Sequence, residues 1–155
     1  MTSITSDAAA FDANAHANPK VTARATVSRK AVWTGRALSG LGVLFMVFDG
    51  GAKVLDLIPP EVKAANSLGW PDHVLPTVGV LALLCTALYV IPRTALLGAI
   101  LLTGYFGGAI ASHVRVDSPL FSHTLFPIYI AALFWVGLFL RDERVRALLA
   151  PRKSV

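Results

Sequence analysis

Cysteine and charge are both scarce in this sequence, and each scarcity excludes a class of function. There is one cysteine in 155 residues, Cys85, and it lies inside an apolar run. A lone cysteine forms no internal disulfide, and no C-x-x-C pair is present. Thiol–disulfide redox chemistry is thereby excluded, including that of four-helix membrane oxidoreductases that cycle a cysteine pair. Cys85 reads as a small apolar filler. Charged residues make up 15% of the chain, where a soluble domain carries about 25%. No nucleotide-binding loop, no Ser-His-Asp constellation, no pair of haem ligands on facing helices and no solenoid-length repeat is present.

What is abundant is apolar. Hydrophobic residues account for 55% of the chain, and the mean hydropathy is +0.63. The few charges are segregated and leave long stretches nearly free of them, the pattern of a polytopic membrane protein. The net charge of +5 would suit nucleic acid, but the basic residues flank apolar spans, where membrane topology accounts for them.

Taken in order, residues 1–30 read as a disordered cytoplasmic tail without the apolar core of a cleaved signal peptide. Four spans follow, at about 31–57, 74–91, 94–113 and 124–140, and a basic tail closes the chain at 150–155. The fold class is all-α, an integral membrane four-helix bundle, with the membrane domain over 31–149. The loop IPPEVKAANSLGWPDH joins spans 1 and 2. Pro59 and Pro60 stop the first helix there, Glu61 to Leu68 suit a short interfacial helix, and Trp70 suits a headgroup anchor. The segment after Leu140, RDERVRALLAPRKSV, is expected to begin as a continuation of span 4. Lys20, Arg24, Arg29 and Lys30 precede Trp33, and Arg141, Arg144, Arg146, Arg152 and Lys153 follow Leu140. Lys63 alone lies in the first loop, and Arg115 alone in the turn between spans 3 and 4. The positive-inside rule therefore places both termini in the cytoplasm.

Span 3 holds the densest run of small residues. Thr103, Gly107 and Ala111 fall four apart, and so do Gly104, Gly108 and Ser112. In water these glycines would weaken a helix by roughly 1 kcal/mol each. In lipid the spacing lets two backbones approach, so Gly104, Gly107, Gly108, Ala111 and Ser112 are the expected helix-packing residues.

Topology turns the scattered polar residues into a depth map. Asp49, Lys53, His113, Arg115 and His123 all fall toward the outer leaflet and form a candidate polar pocket. Asp49 and Lys53 are spaced i,i+4 and can pair across one turn. A carboxylate in hydrocarbon costs about 2.5–3.5 kcal/mol, so Asp49 needs a partner or water. Two histidines and one aspartate without tight spacing do not make a metal site, and none is expected. A histidine near a carboxylate suits a quinone headgroup or a proton relay. Arg36 is close enough to its helix end to snorkel, and Trp33, Trp70 and Trp135 read as packing or interfacial aromatics.

The segment from Leu88 to Thr94, LYVIPRT, followed by LLGAILLTGYFGGAIASHVRVDSPLFSHTLFPIY, resembles the DoxX-like family of small bacterial membrane proteins. FDGGAKVL and LGWP fit the same pattern, and the resemblance covers about Trp33 to Leu149. It implies a four-helix membrane bundle and maps the family's polar positions onto Asp49, Lys53, Arg93, His113, Arg115 and His123. The family takes its name from a subunit associated with a terminal quinol oxidase and thiosulfate:quinone oxidoreduction. Similar proteins are linked to oxidative-stress complexes or to assembly of larger membrane proteins. Some relatives place a carboxylate in span 2, whereas this sequence has none from Val74 to Ile91.

Three functions stand in order. The first is a non-catalytic subunit or assembly partner of other membrane proteins, with no nucleic-acid partner. The second is a quinone-linked redox component using the outer pocket, a quinone being the one candidate cofactor. The third is a small proton-coupled transporter relying on Asp49, disfavoured because Lys53 would hold that group ionised.

Overall fold

The computed structural model describes residues 28–61 and 68–149. The expected N-terminal tail lies almost wholly outside these residues, the basic tail at 150–155 wholly so, and the interfacial helix of the first loop largely so. Four helices are long and apolar enough to cross a bilayer. They are α1 (Arg29–Val54), α2 (Leu75–Val90, led in by a 3₁₀ turn at Asp72–Val74), α3 (Ala95–Arg115) and α4 (Phe126–Arg141). A short helix α5 (Glu143–Leu149) follows. Hydrocarbon offers no hydrogen bonds to an open backbone, so uncharged runs of this length close their N–H and C=O groups within a helix.

The helix ends follow local chemistry. The Leu55 N–H bonds back to the Gly51 carbonyl, and Asp56 takes a left-handed φ of 55°. That residue ends α1 at Val54, three residues before the expected Leu57. At the far end α4 does not run on into the tail. Asp142 is extended (φ −118°, ψ 112°), and its carboxylate accepts the Arg144 N–H at 2.8 Å. An aspartate in that role caps a new helix start, which separates α5 from α4. Before α4, Leu120–Thr124 form one π-helical turn, and Pro127 occupies the first turn of α4, where its missing N–H is harmless.

The helices form a ring in which α1 and α3 each lie between α2 and α4. Each helix buries one stripe, and on α1 it is Gly35, Ser39, Gly42, Met46 and Gly50. Glycine sets the closest approaches. A Cβ on Gly35 would fall 2.7 Å from the Gly137 carbonyl oxygen, and one on Gly79 would fall 2.7 Å from that of Gly50. A Cβ on Gly98 would fall 2.3 Å from the Tyr89 nitrogen. These contacts join the start of α1 to the end of α4, the end of α1 to the start of α2, and the end of α2 to the start of α3. Successive helices therefore run antiparallel, and α1 begins at the same end of the bundle at which α4 finishes.

The core centres on Tyr89, Phe134, Met46, Leu102 and Leu138, all fully buried. The Tyr89 ring meets Phe134 edge-on at 4.7 Å between centroids, and its hydroxyl donates to the Phe134 carbonyl at 2.8 Å. Ser39 Oγ completes the set at 2.8 Å from the same hydroxyl. The Arg141 guanidinium lies over the Tyr89 ring, 4.9 Å from its centroid. The outward faces carry large apolar residues such as Leu44 and Phe48, as they must where the solvent is lipid.

Candidate functional site

At the end of the bundle opposite the start of α1 and the finish of α4, the helices do not close. A cavity of about 370 Å³ lies between the first turns of α2, the last turns of α3, the end of α1 and the loop before α2. One wall is Val74, Leu75, Val78 and Leu81. The facing wall is Gly104, Tyr105, Gly108, Ala109 and Ser112. Among the described residues, nothing lies within 4 Å of where a Cβ on Gly104 or Gly108 would sit, so the missing side chains leave room there.

Lys53 supplies the charged atom of the lining. Its ammonium donates to the Asp49 carboxylate, one turn back on α1. The pair is partly buried, with Lys53 at 19% and Asp49 at 30% side-chain exposure, so each charge meets its partner rather than bare hydrocarbon. Tyr105, on the facing wall, shares the lining with Lys53.

The roof is the loop. Trp70 Nε1 donates to Ser112 Oγ at 3.3 Å, tying the loop to α3. Arg115 donates to the Leu68 carbonyl and lies 5.5 Å from the Trp70 ring centroid. Two successive left-handed residues, Leu68 (φ 48°) and Gly69 (φ 70°), make this turn. Glycine suits the second position because it adopts positive φ without strain, and any Cβ there would stand 3.2 Å from Arg115 Nη2.

The five polar residues expected to share one pocket are divided among three places. Lys53 lines the cavity with Asp49 behind it, Arg115 holds the roof, and the two histidines sit together on the turn between α3 and α4. The His113 and His123 rings are 5.9 Å apart, edge to face. His113 Nδ1 is 3.1 Å from Ser118 Oγ, and His123 Nδ1 is 2.8 Å from Ser122 Oγ. Neither histidine belongs to the cavity lining. Among the described residues, no three His, Cys, Asp or Glu side chains come together as a metal site. Arg93 is exposed in the connection between α2 and α3, and Arg36 is exposed on α1.

The two small-residue lines of α3 also part company. Gly104, Gly108 and Ser112 face the cavity. Gly107 and Ala111 lie outside the lining and are exposed, with open space where a Gly107 Cβ would be. Thr103, which begins the second line, instead accepts a 2.8 Å hydrogen bond from Trp135 Nε1 of α4. Sequence reasoning did not single out Tyr105, although an aromatic bracketed by glycines in GYFGG was the available signal. It also passed over the Ser39–Tyr89 bond, for which no local signal exists.

A family model described as the DoxX-like family matches residues 37–137. No curated protein and no solved structure matches the chain significantly.

Proposed function

The chain belongs to the DoxX-like family as a multi-pass membrane protein, and from that premise we propose that it is a non-catalytic subunit or assembly partner within a larger membrane complex, in the redox or oxidative-stress setting that the family resemblance suggests. The observation that carries this reading is a contrast among glycines. Gly35, Gly50, Gly79, Gly98 and Gly137 are all consumed by contacts within the chain, whereas Gly107, like Gly40, Gly51, Gly104 and Gly108, meets no other described residue. In lipid there is no hydrophobic force between helices, and close backbone packing at small residues supplies the association. The exposed Gly107–Ala111 line is shaped for a helix from another subunit. The basic residues around the termini support an inner-membrane location with both termini cytoplasmic.

A photoreactive residue placed at Ala111 tests this in intact membranes. A discrete protein adduct, lost when Gly107 is replaced by leucine, is the expected result. Adducts to lipid alone would remove the reading.

A second reading, a quinone-linked redox component, is favoured by the cavity and its Lys53–Asp49–Tyr105 end. It requires a bound quinone whose redox state changes in turnover, and protein isolated free of quinone and inert toward added quinol would count against it.

A further inference from the structure

We infer that the cavity between α2 and α3 is a binding site for an uncharged, lipid-soluble molecule with an oxygen acceptor at one end, entering sideways from the bilayer. The inference shares its cavity with the redox reading and needs none of that reading's electron transfer.

Size, access and charge each support it. A volume of about 370 Å³ falls within the range of roughly 300–1,000 Å³ that small-molecule sites occupy. Leu81, Gly104 and Gly108 line the cavity and are themselves exposed on the flank of the bundle, so the opening faces lipid. The walls are apolar for the most part; the Lys53–Asp49 pair of α1 forms the charged end, and Tyr105 and Ser112 bring hydroxyls on the α3 wall.

That polar end selects for neutrality. Lys53 is already neutralised by Asp49, so the pair presents donors without net positive charge. An anionic headgroup would gain little from the ammonium and would meet the carboxylate in a medium of low dielectric. A carbonyl or ether oxygen can accept from the ammonium or the phenol at no such cost, the Ser112 hydroxyl being already donated to the Gly108 carbonyl. Arg115 keeps its charge but stands outside the lining, directed at the Leu68 carbonyl and the Trp70 ring. The Trp70 indole forms part of the roof, and its emission should report an occupant.

The test uses the full chain with Trp33→Phe and Trp135→Phe as its parent, in phosphatidylcholine nanodiscs, with Trp70 emission followed during titration of dioctanoylglycerol, a short-chain quinone and dioctanoyl phosphatidic acid. Saturable binding of at least one uncharged probe is expected, at least tenfold tighter than phosphatidic acid. Gly108→Leu and Gly104→Leu should fill the cavity and weaken that binding tenfold or more while helicity is unchanged. Gly107→Leu should bind as the parent does, and Asp49→Asn should shift preference toward phosphatidic acid. Equal binding of charged and uncharged probes, or no response to any probe, overturns the inference. So does a Gly108→Leu protein of full helicity that binds as before. The two uncharged probes separate the sources. Glyceride bound as tightly as quinone upholds the inference and removes support from the redox reading, whereas quinone bound far more tightly upholds both.

Discussion

At the end of the bundle where α1 begins and α4 finishes, glycine brings backbones together. Gly35 meets Gly137, and Gly98 lies against the Leu88–Tyr89 backbone so closely that no side chain fits at any of the three. Tyr89, Ser39, Phe134 and Arg141 fill the space that remains. At the opposite end, α3 carries glycines with nothing opposite them, and Gly104 and Gly108 border a cavity roofed by the Trp70 loop. The same residue type closes the first end and, on α3, opens the second, although Gly50 and Gly79 still bring α1 and α2 together there. The difference lies in what faces each glycine: a neighbouring backbone at Gly35, Gly98 and Gly137, and open space at Gly104 and Gly108. A small-residue pattern therefore states where close approach is permitted, and the fold determines whether it is used.

Substitutions that swap the roles of the two ends are the way to break this comparison. Gly98→Leu should have the largest effect, because a side chain there collides with backbone that cannot swing aside. Overpacking typically costs about 1–3 kcal/mol, and loss of the folded protein in detergent, read by circular dichroism during heating, is expected. Tyr89→Phe should come next, since it strips a partner from both Ser39 Oγ and the Phe134 carbonyl. Hydrogen bonds within membrane proteins are worth about 0.6 kcal/mol on average and up to about 1.7. A double-mutant cycle with Ser39→Ala, followed by unfolding in mixed micelles, should return a coupling in that range. Gly108→Ala should have the smallest effect and the opposite sign, because it removes a helix-weakening glycine without meeting any atom. A gain of up to about 1 kcal/mol is expected, and a loss comparable to that from Gly98→Leu would erase the distinction between the two ends.

Much of the architecture was legible because lipid narrows the choices. Apolar runs of span length have little option but the helix, so all four spans were legible in the sequence. Errors fell where local backbone decides, as at Asp56, whose left-handed φ shortens α1, and at Asp142, whose capping carboxylate detaches α5. The Asp49–Lys53 pair was legible as an i,i+4 spacing. The roof was not, because the bond from Trp70 to Ser112 joins residues 42 apart in sequence and that from Arg115 to Leu68 joins residues 47 apart. The glycines show the same limit. The dense stripe on α3 catches the eye, yet the tightest contacts fall at Gly35, Gly79, Gly98 and Gly137, scattered over all four helices. Which glycine meets a neighbour depends on the ring order of the bundle, and no single helix encodes that.

The most direct test of the account sets the two lines of α3 against each other. The parent protein, Gly107→Leu and Gly108→Leu would be released from native membranes into the mass spectrometer under conditions that preserve complexes. The account expects Gly107→Leu to lose a protein partner and keep a small bound molecule, and Gly108→Leu to do the reverse. Identical spectra from the two variants, whether both lose everything or neither loses anything, would contradict it.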